Sequence, residues 1–310
     1  VLDFGISIAD SKGRMVAEAA GITSFIGAND YALKTLLEKL DLNSLRPGDV
    51  VMLNYPYWNS AHASDALLMS PVFIDNKDID MFLCVRAHWL DLGAKDAGYV
   101  IDSTDIHQEG IIIPGVRIIK EGKLDEDLWK VLTFNSRLPE AIEGDFGAQV
   151  ACLRTGERCL KEIFSKFGKS KVLDAIEDFF EHSHQKTLAA LSQLPKGTWS
   201  ASDWLDDDGI SDDMIKMAVK VSITDSEFIV DYNESSLQVA GPVNSPYGGT
   251  VSMAKTYFKF LTSRDSPSNH GNYIPLEVKA DPGNLFHAIY PTATYMPVSY
   301  THLTLPTISR

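Results

Sequence analysis

The sequence predicts an α+β fold: a mixed sheet, a helical hairpin and a C-terminal antiparallel meander. Three observations carry this reading. Short apolar runs over Val50–Leu53, Leu67–Phe73 and Met81–Ala87 are each bounded by Asp, Asn or Pro, as buried strands are. From Glu140 onward, Phe146, Val150, Leu153, Leu160, Ile163, Phe164 and Phe167 keep a helical period that Gly168 closes. Farther on, Met217, Val219, Val221 and Ile223 alternate with Lys216, Ala218, Lys220 and Ser222, the pattern of a strand with one buried face.

Taken in order, Leu2, Phe4 and Ile6 alternate with Asp3, Gly5 and Ser7 before a turn at Asp10-Ser11-Lys12-Gly13, and Val16-Ala17 begins a return strand. This hairpin opens the chain without a Met, so an upstream partner segment is expected to be missing. Asn29 is placed to cap a helix over Tyr31–Leu40, whose Leu33, Leu36, Leu37 and Leu40 share a face. The three buried strands follow, then the helix from Glu140 and a second from about Lys171 to Leu194, stopped by Pro195-Lys196-Gly197. The meander continues through Glu227–Tyr232. Residues 1–295 read as one domain fragment, with sub-boundaries near 140 and 195. The Thr- and Pro-rich segment Met296–Arg310 resembles a translated sequencing adaptor and reads as a foreign tail.

The composition is that of an ordinary soluble protein: 310 residues, 45% hydrophobic and 23% charged. With 28 Lys plus Arg against 42 Asp plus Glu, the net charge of −14 argues against duplex nucleic acid or an anionic membrane as the main partner. No run reaches the roughly 20 apolar residues of a membrane span, and the N-terminus has no signal-peptide pattern. Three cysteines are too few and too odd for a disulfide framework, which predicts a cytoplasmic protein with reduced thiols.

The segment Gly48–Gly93 holds the chemistry. A buried strand ends at Asn54-Tyr55-Pro56-Tyr57, the loop after it presents His62 and Asp65, and a later strand ends at Ala87-His88. Adjacent strands would bring two imidazoles and a carboxylate around one point, a set that binds Mn²⁺, Fe²⁺ or Zn²⁺ with positions left for water or substrate. Asp91 is then a further ligand, an acceptor that orients His88, or a general base; spacing does not separate these roles. The bland alternative is local hydrogen bonding at His62 and Asp65 with His88 a satisfied core histidine.

Several segments together resemble the hydantoinase B/oxoprolinase family. They are Leu53-Asn54-x-Pro56-Tyr57, His62-x-x-Asp65, Arg86-Ala87-His88-Trp89-x-Asp91-x-Gly93, Gln108-Glu109-Gly110-Ile111-x-Ile113-Pro114, Asp145-x-x-Ala148-Gln149 and Arg154-Thr155-Gly156-Glu157-Arg158. Leu194-Pro195-x-Gly197-Thr198, Asp206-Asp207-Asp208-Gly209 and Gly241-Pro242-x-Asn244-Ser245-Pro246 extend the match over nearly the whole chain. The resemblance implies the B component of an ATP-dependent cyclic-amide hydrolase of hydantoinase or 5-oxoprolinase type. Its divalent transition metal (Mn, Fe or Zn) would sit on His62, Asp65 and His88, with Asp91 or Glu109 handling the proton. ATP would be held by a hydantoinase A-type ATPase subunit, the partner, and the small-molecule substrate would be a cyclic amide or a ketone. A ketone carboxylase of acetone or acetophenone type and a non-catalytic structural subunit are the alternatives. Two departures stand out: Tyr55 replaces the family's usual Asp, and Asn59-Ser60-Ala61 replaces the usual Gly-Gly before the first His.

Other motifs read more plainly. Glu109 can be a catalytic carboxylate or a turn residue that satisfies loop amides. Arg154, Glu157 and Arg158 suit ion pairs along a helix, with phosphate binding the alternative. Cys152 and Cys159 suit small core positions, and His182 and His184 point apart into solvent. Asp206-Asp207-Asp208-Gly209 lacks calcium-loop spacing. Gly241–Thr250 lacks the Gly-Lys-Ser/Thr of a Walker loop, so no nucleotide cradle is recognisable in this chain.

Overall fold

The computed structural model describes residues 3–22, 25–60, 62–75 and 77–297. Its first half is a seven-stranded sheet of order β2-β1-β5-β4-β3-β6-β7. The strands are β1 (Phe4–Asp10), β2 (Met15–Ala20), β3 (Val50–Leu53), β4 (Asp65–Val72), β5 (Met81–His88), β6 (Pro114–Lys120) and β7 (Lys123–Leu124). Every pairing in this sheet is antiparallel. β1 lies between β2 and β5, so the strand expected to lack a neighbour is paired on both sides and β2 forms the edge.

Helices cover both faces. Against one face, α1 (Ala28–Lys39) brings Leu33 and Leu36 onto Val51, Leu53, Leu67 and Phe82. Against the other pack α3 (Glu126–Asn135), α4 (Pro139–Phe167) and α5 (Lys169–Gln193), whose Leu132, Phe146, Leu153, Phe164, Ile176 and Phe180 share a core with Leu68, Leu83 and Val85. The helical hairpin turns at Gly168, whose φ of 85° lies in the left-handed region. Ile163 and Phe167, expected on the buried stripe, are 43% and 54% exposed, because they lie on the flank of α4 that lines an open groove with Val172 and Phe179 of α5, whereas Phe164 between them is buried.

A second sheet, in the order β11-β10-β9-β8, follows the hairpin. β8 (Gly197–Leu205), β9 (Ile215–Ile223) and β10 (Phe228–Asp231) form the expected antiparallel meander, and β11 (Leu276–Lys279) joins β10 in parallel. The mixed sheet is therefore the smaller one. α6 (Tyr247–Thr262) packs its Ala254 and Phe258 into that sheet's core. Among the described residues no helix is long and apolar enough to cross a membrane.

One expected cap is a core residue instead. Gly27 precedes α1 and Asn29 lies inside the helix, where its Nδ2 donates to Gly5 O and its Oδ1 accepts from Arg86 Nε at 3.0 Å. Arg86 is fully buried, donates to the carbonyl of Asn59 and lies 5.4 Å from the Phe25 ring. Together these contacts fasten α1 and the short helix α2 (Pro56–Asn59) to β5, behind the end of the sheet where the site forms.

Candidate metal centre

Antiparallel pairing puts Asp65, the first residue of β4, directly opposite His88, the last of β5. His62 precedes β4 by one tight turn, closed by the Asp65 N–H donating to His62 O at 3.1 Å. One ligand atom each from His62, Asp65 and His88 falls within 4.8 Å of the others. Adjacent strand ends thus converge the three residues whose spacing predicted a metal.

Buried amides hold this turn. Asn54 accepts from Ile113 N at 2.6 Å and donates to Ala63 O and Ile111 O, both at 2.8 Å. Asn59 Nδ2 donates to Asp65 O at 2.6 Å. Gln149 on α4 donates to Ala66 O and Val85 O across the β4–β5 pair and accepts from Trp89 Nε1 at 2.8 Å. Each satisfies backbone groups that would otherwise be buried unpaired, so the loop is rigid without being regular.

The electrostatics differ between the two imidazoles. Burial pushes His62 down to about 4, against the pull of Asp65, so it is neutral at pH 7. Burial also opposes charge on His88, but its 3.1 Å hydrogen bond to Asp65 Oδ1 and the charges of Asp65, Asp3 and Asp145 outweigh it and raise its pKa. Asp65 would be raised by burial, yet the two histidines hold it below the usual carboxylate range. His62 Nδ1 is buried with no hydrogen-bond partner. The nitrogen shown facing the carboxylate is His62 Nε2, 3.6 Å from Asp65 Oδ1, and two imidazoles and a carboxylate gathered within 4.8 Å are an N/O set that suits a divalent transition metal, so the residues present fit one.

These side chains line a cleft of about 190 Å³ with Asp3, Ile22, Phe25, Tyr99, Tyr295, Met296 and Pro297. The His62 ring faces Tyr295 at 4.6 Å and the His88 ring lies 6.4 Å from Tyr99. Met296 and Pro297, placed by sequence in a foreign tail, belong to this wall, and Met296 N donates to Pro242 O at 2.9 Å. The rest of that tail, 298–310, lies outside the described residues.

Neither expected proton-handling carboxylate lines the cleft. Asp91 accepts from Gly93 N at 3.0 Å and, through Arg137 N at 2.6 Å and Arg137 Nη1 at 3.3 Å, ties the loop after β5 to the start of α4. Glu109 is fully buried and accepts from Ser103 Oγ, Thr294 N and Tyr295 N at 2.7–2.9 Å. Desolvation nonetheless pushes Glu109 up to about 7. Asp3, which sequence reasoning passed over as one polar position in a strand, is the further carboxylate in the cleft.

The remaining motifs are structural. Tyr55 packs edge-on against Tyr57 and Trp58, outside the cleft. Asn244 donates to Val239 O, Gly241 O and Ala293 O, so the Gly-Pro-x-Asn-Ser-Pro loop clasps the segment leading to Tyr295. Asp208 caps Ile210 N, Ser211 N and Gly241 N. Glu157 and Arg158 pair along α4 with Lys161 and Glu162. Cys159, expected in the core, is exposed; Cys84 is buried and Cys152 half-buried.

Residues 1–308 match the hydantoinase B/oxoprolinase family. The chain belongs to that family. It is similar to the B component of a putative D-/L-hydantoinase of Pseudomonas sp. (strain NS671), 30% identical over 94% of this chain and 52% of that one. It is also similar to the 5-oxoprolinase of Saccharomyces cerevisiae, 28% identical over 92% of this chain and 23% of the relative. The crystal structure of the ATP-dependent caprolactamase from Pseudomonas jessenii superposes with a TM-score of 0.87 at 26% identity, covering 95% of this chain and 51% of that one. Acetone carboxylase shares the fold at the same TM-score of 0.87 and 14% identity. The chain thus spans about half, or less, of the length of these relatives.

Proposed function

We propose that this hydantoinase B/oxoprolinase chain is the metal-bearing component of an ATP-dependent cyclic-amide hydrolase, working in the cytoplasm with a hydantoinase A-type ATPase subunit. The observation that carries the reading is the convergence of His62, Asp65 and His88 on a cleft, one ligand atom of each lying within 4.8 Å of the others. Those three residues would hold one divalent transition metal, which lowers the pKa of a bound water and polarises a carbonyl. The chain's own residues supply the rest. Asn54, Asn59 and Gln149 hold the ligand loop in place before anything binds. The Asp65 carboxylate keeps His88 oriented through Nδ1. The apolar and aromatic walls limit water around the reacting carbonyl.

No recognisable phosphate cradle occurs in the sequence, which supports placing ATP on the partner. The test is reconstitution with an A-type subunit encoded beside this chain, supplied with ATP and a cyclic amide. Ring opening coupled to ATP hydrolysis, lost in His62→Ala, supports the reading; ATP-dependent ring opening that persists in His62→Ala contradicts it. Stoichiometric ATP binding by the isolated chain would also contradict it.

A further inference from the structure

Glu109 is a buried carboxyl group outside the lining of the metal cleft, and besides nearby Ser103 its partners, Thr294 and Tyr295, lie far along the chain. The segment Thr292–Pro297 is a strap that contributes Tyr295, Met296 and Pro297 to the wall of the metal cleft. It is fastened at Thr292 O by the Tyr57 hydroxyl, at Ala293 O by Asn244, and at Met296 N by Pro242 O. Between these points the carboxylate of Glu109 accepts from Thr294 N, Tyr295 N and Thr294 Oγ1. The residue so held, Tyr295, presents its ring to His62 at 4.6 Å and meets Tyr99 edge-on at 6.1 Å. Its hydroxyl is committed to Ser64 Oγ at 3.1 Å and Gly98 O at 2.7 Å, so the ring face, not the phenol, is what the cleft meets.

We propose that Glu109 is a positioning residue: it holds Tyr295 as the wall of the metal cleft over His62, and that wall restricts access to small ligands. Two consecutive backbone N–H groups donating to one carboxyl oxygen at 2.7 and 2.9 Å set the strap's height, because short hydrogen bonds are directional. The neutral amide of a glutamine would keep that oxygen as acceptor, whereas an aspartate would withdraw it by one methylene. The geometry of the acceptor is what matters here, and transfer of a proton to substrate has no part in it.

The wall is tested by magnetic resonance on the metal-free full chain with labelled histidine, the His62 ring signals being identified by their absence in His62→Gln. Tyr295→Leu removes the ring current and moves those signals. The expectation is that Glu109→Ala moves them in the same direction, Glu109→Asp moves them partway, and Glu109→Gln leaves them in place. Signals unmoved in both Glu109→Ala and Glu109→Asp, or moved as far by Glu109→Gln as by Glu109→Ala, overturn the proposal. Should Glu109→Ala fail to fold, Glu109→Asp and Glu109→Gln still decide it. The restriction on size rests on the metal reading and is tested in the Co²⁺-loaded chain by its visible spectrum. Tyr295→Ala should narrow the preference for imidazole over 4-phenylimidazole by about tenfold or more, the scale of a steric pocket contact. An unchanged preference overturns the wall, whereas failure to bind Co²⁺ counts against the proposed function and leaves the resonance test in force.

Discussion

Two buried aspartates divide the molecule's chemistry from its architecture. Asp30, on α1, lies between Lys255 of α6 at 2.5 Å and Lys34 at 3.1 Å; Asp65 lies between His88 at 3.1 Å and His62 at 3.6 Å. Burial would raise both carboxylates, and basic neighbours hold both below their usual range. The outcomes differ because lysine and histidine differ. The lysines offer only donors, so the Asp30 cluster is a set of ion pairs that docks α6 and the second sheet on α1. A neutral histidine offers a lone pair, and His62 stands in the wall of a cleft with its Nε2 3.6 Å from Asp65 Oδ1. A buried carboxylate between two bases marks a site only when the bases can also accept.

The contrast is broken most severely by exchanging the consequences. Lys255→Met should cost about 3 kcal/mol of stability, by leaving a buried carboxylate with Lys34 alone, and should leave metal affinity unchanged; denaturant unfolding and metal titration check both halves. Asp65→Asn should do the converse, reducing metal affinity at least about a hundredfold with a smaller loss of stability. Equal losses of stability in the two variants would erase the distinction.

The pH dependence sharpens it. His62 falls from 6.5 to about 4 on folding, so the unfolded chain binds its proton more tightly. Stability is full above pH 6.5 and declines as pH falls toward 4, by about 3 kcal/mol from this group. His88 runs the other way: its raised pKa contributes stability that is present below 6.5 and lost as pH rises through its folded pKa. Unfolding midpoints across pH should therefore lose their acid-side slope in His62→Gln and their neutral-side slope in His88→Gln. The Lys255→Met deficit should stay level over the same range. An effect of similar size and opposite sign is expected at Glu109, whose pKa rises from 4.5 to about 7, so its burial costs stability as pH rises through that window. Glu109→Gln should be the more stable chain above pH 7, and equal stability there would contradict the assignment.

The convergence of His62, Asp65 and His88 was legible in the sequence because His-x-x-Asp precedes one apolar strand and His88 ends the next, and neighbouring strands bring their ends together. Tyr295 was not, since the contact that matters joins it to His62 from the far end of the chain and leaves no local pattern. Asn29 looked like a cap because capping residues favour helix starts, yet a buried arginine recruited it. α6 was not read from the sequence, where the glycines of Gly241–Thr250 were weighed only against a Walker loop. Gly248 is needed because a side chain there would come within 2.4 Å of Tyr31 Cδ1. Glu109 was legible as either a catalytic group or a binder of loop amides; the amides proved to come from a strap distant in sequence.

The function proposed for the cleft depends on His62, Asp65 and His88 holding a metal. Elemental analysis of the full chain, purified after exposure to Mn²⁺ or Zn²⁺ and set against His88→Ala handled identically, tests it directly. The prediction is close to one ion per chain, abolished by the substitution. Unchanged occupancy in His88→Ala, or no bound ion in the unmodified chain, would contradict it.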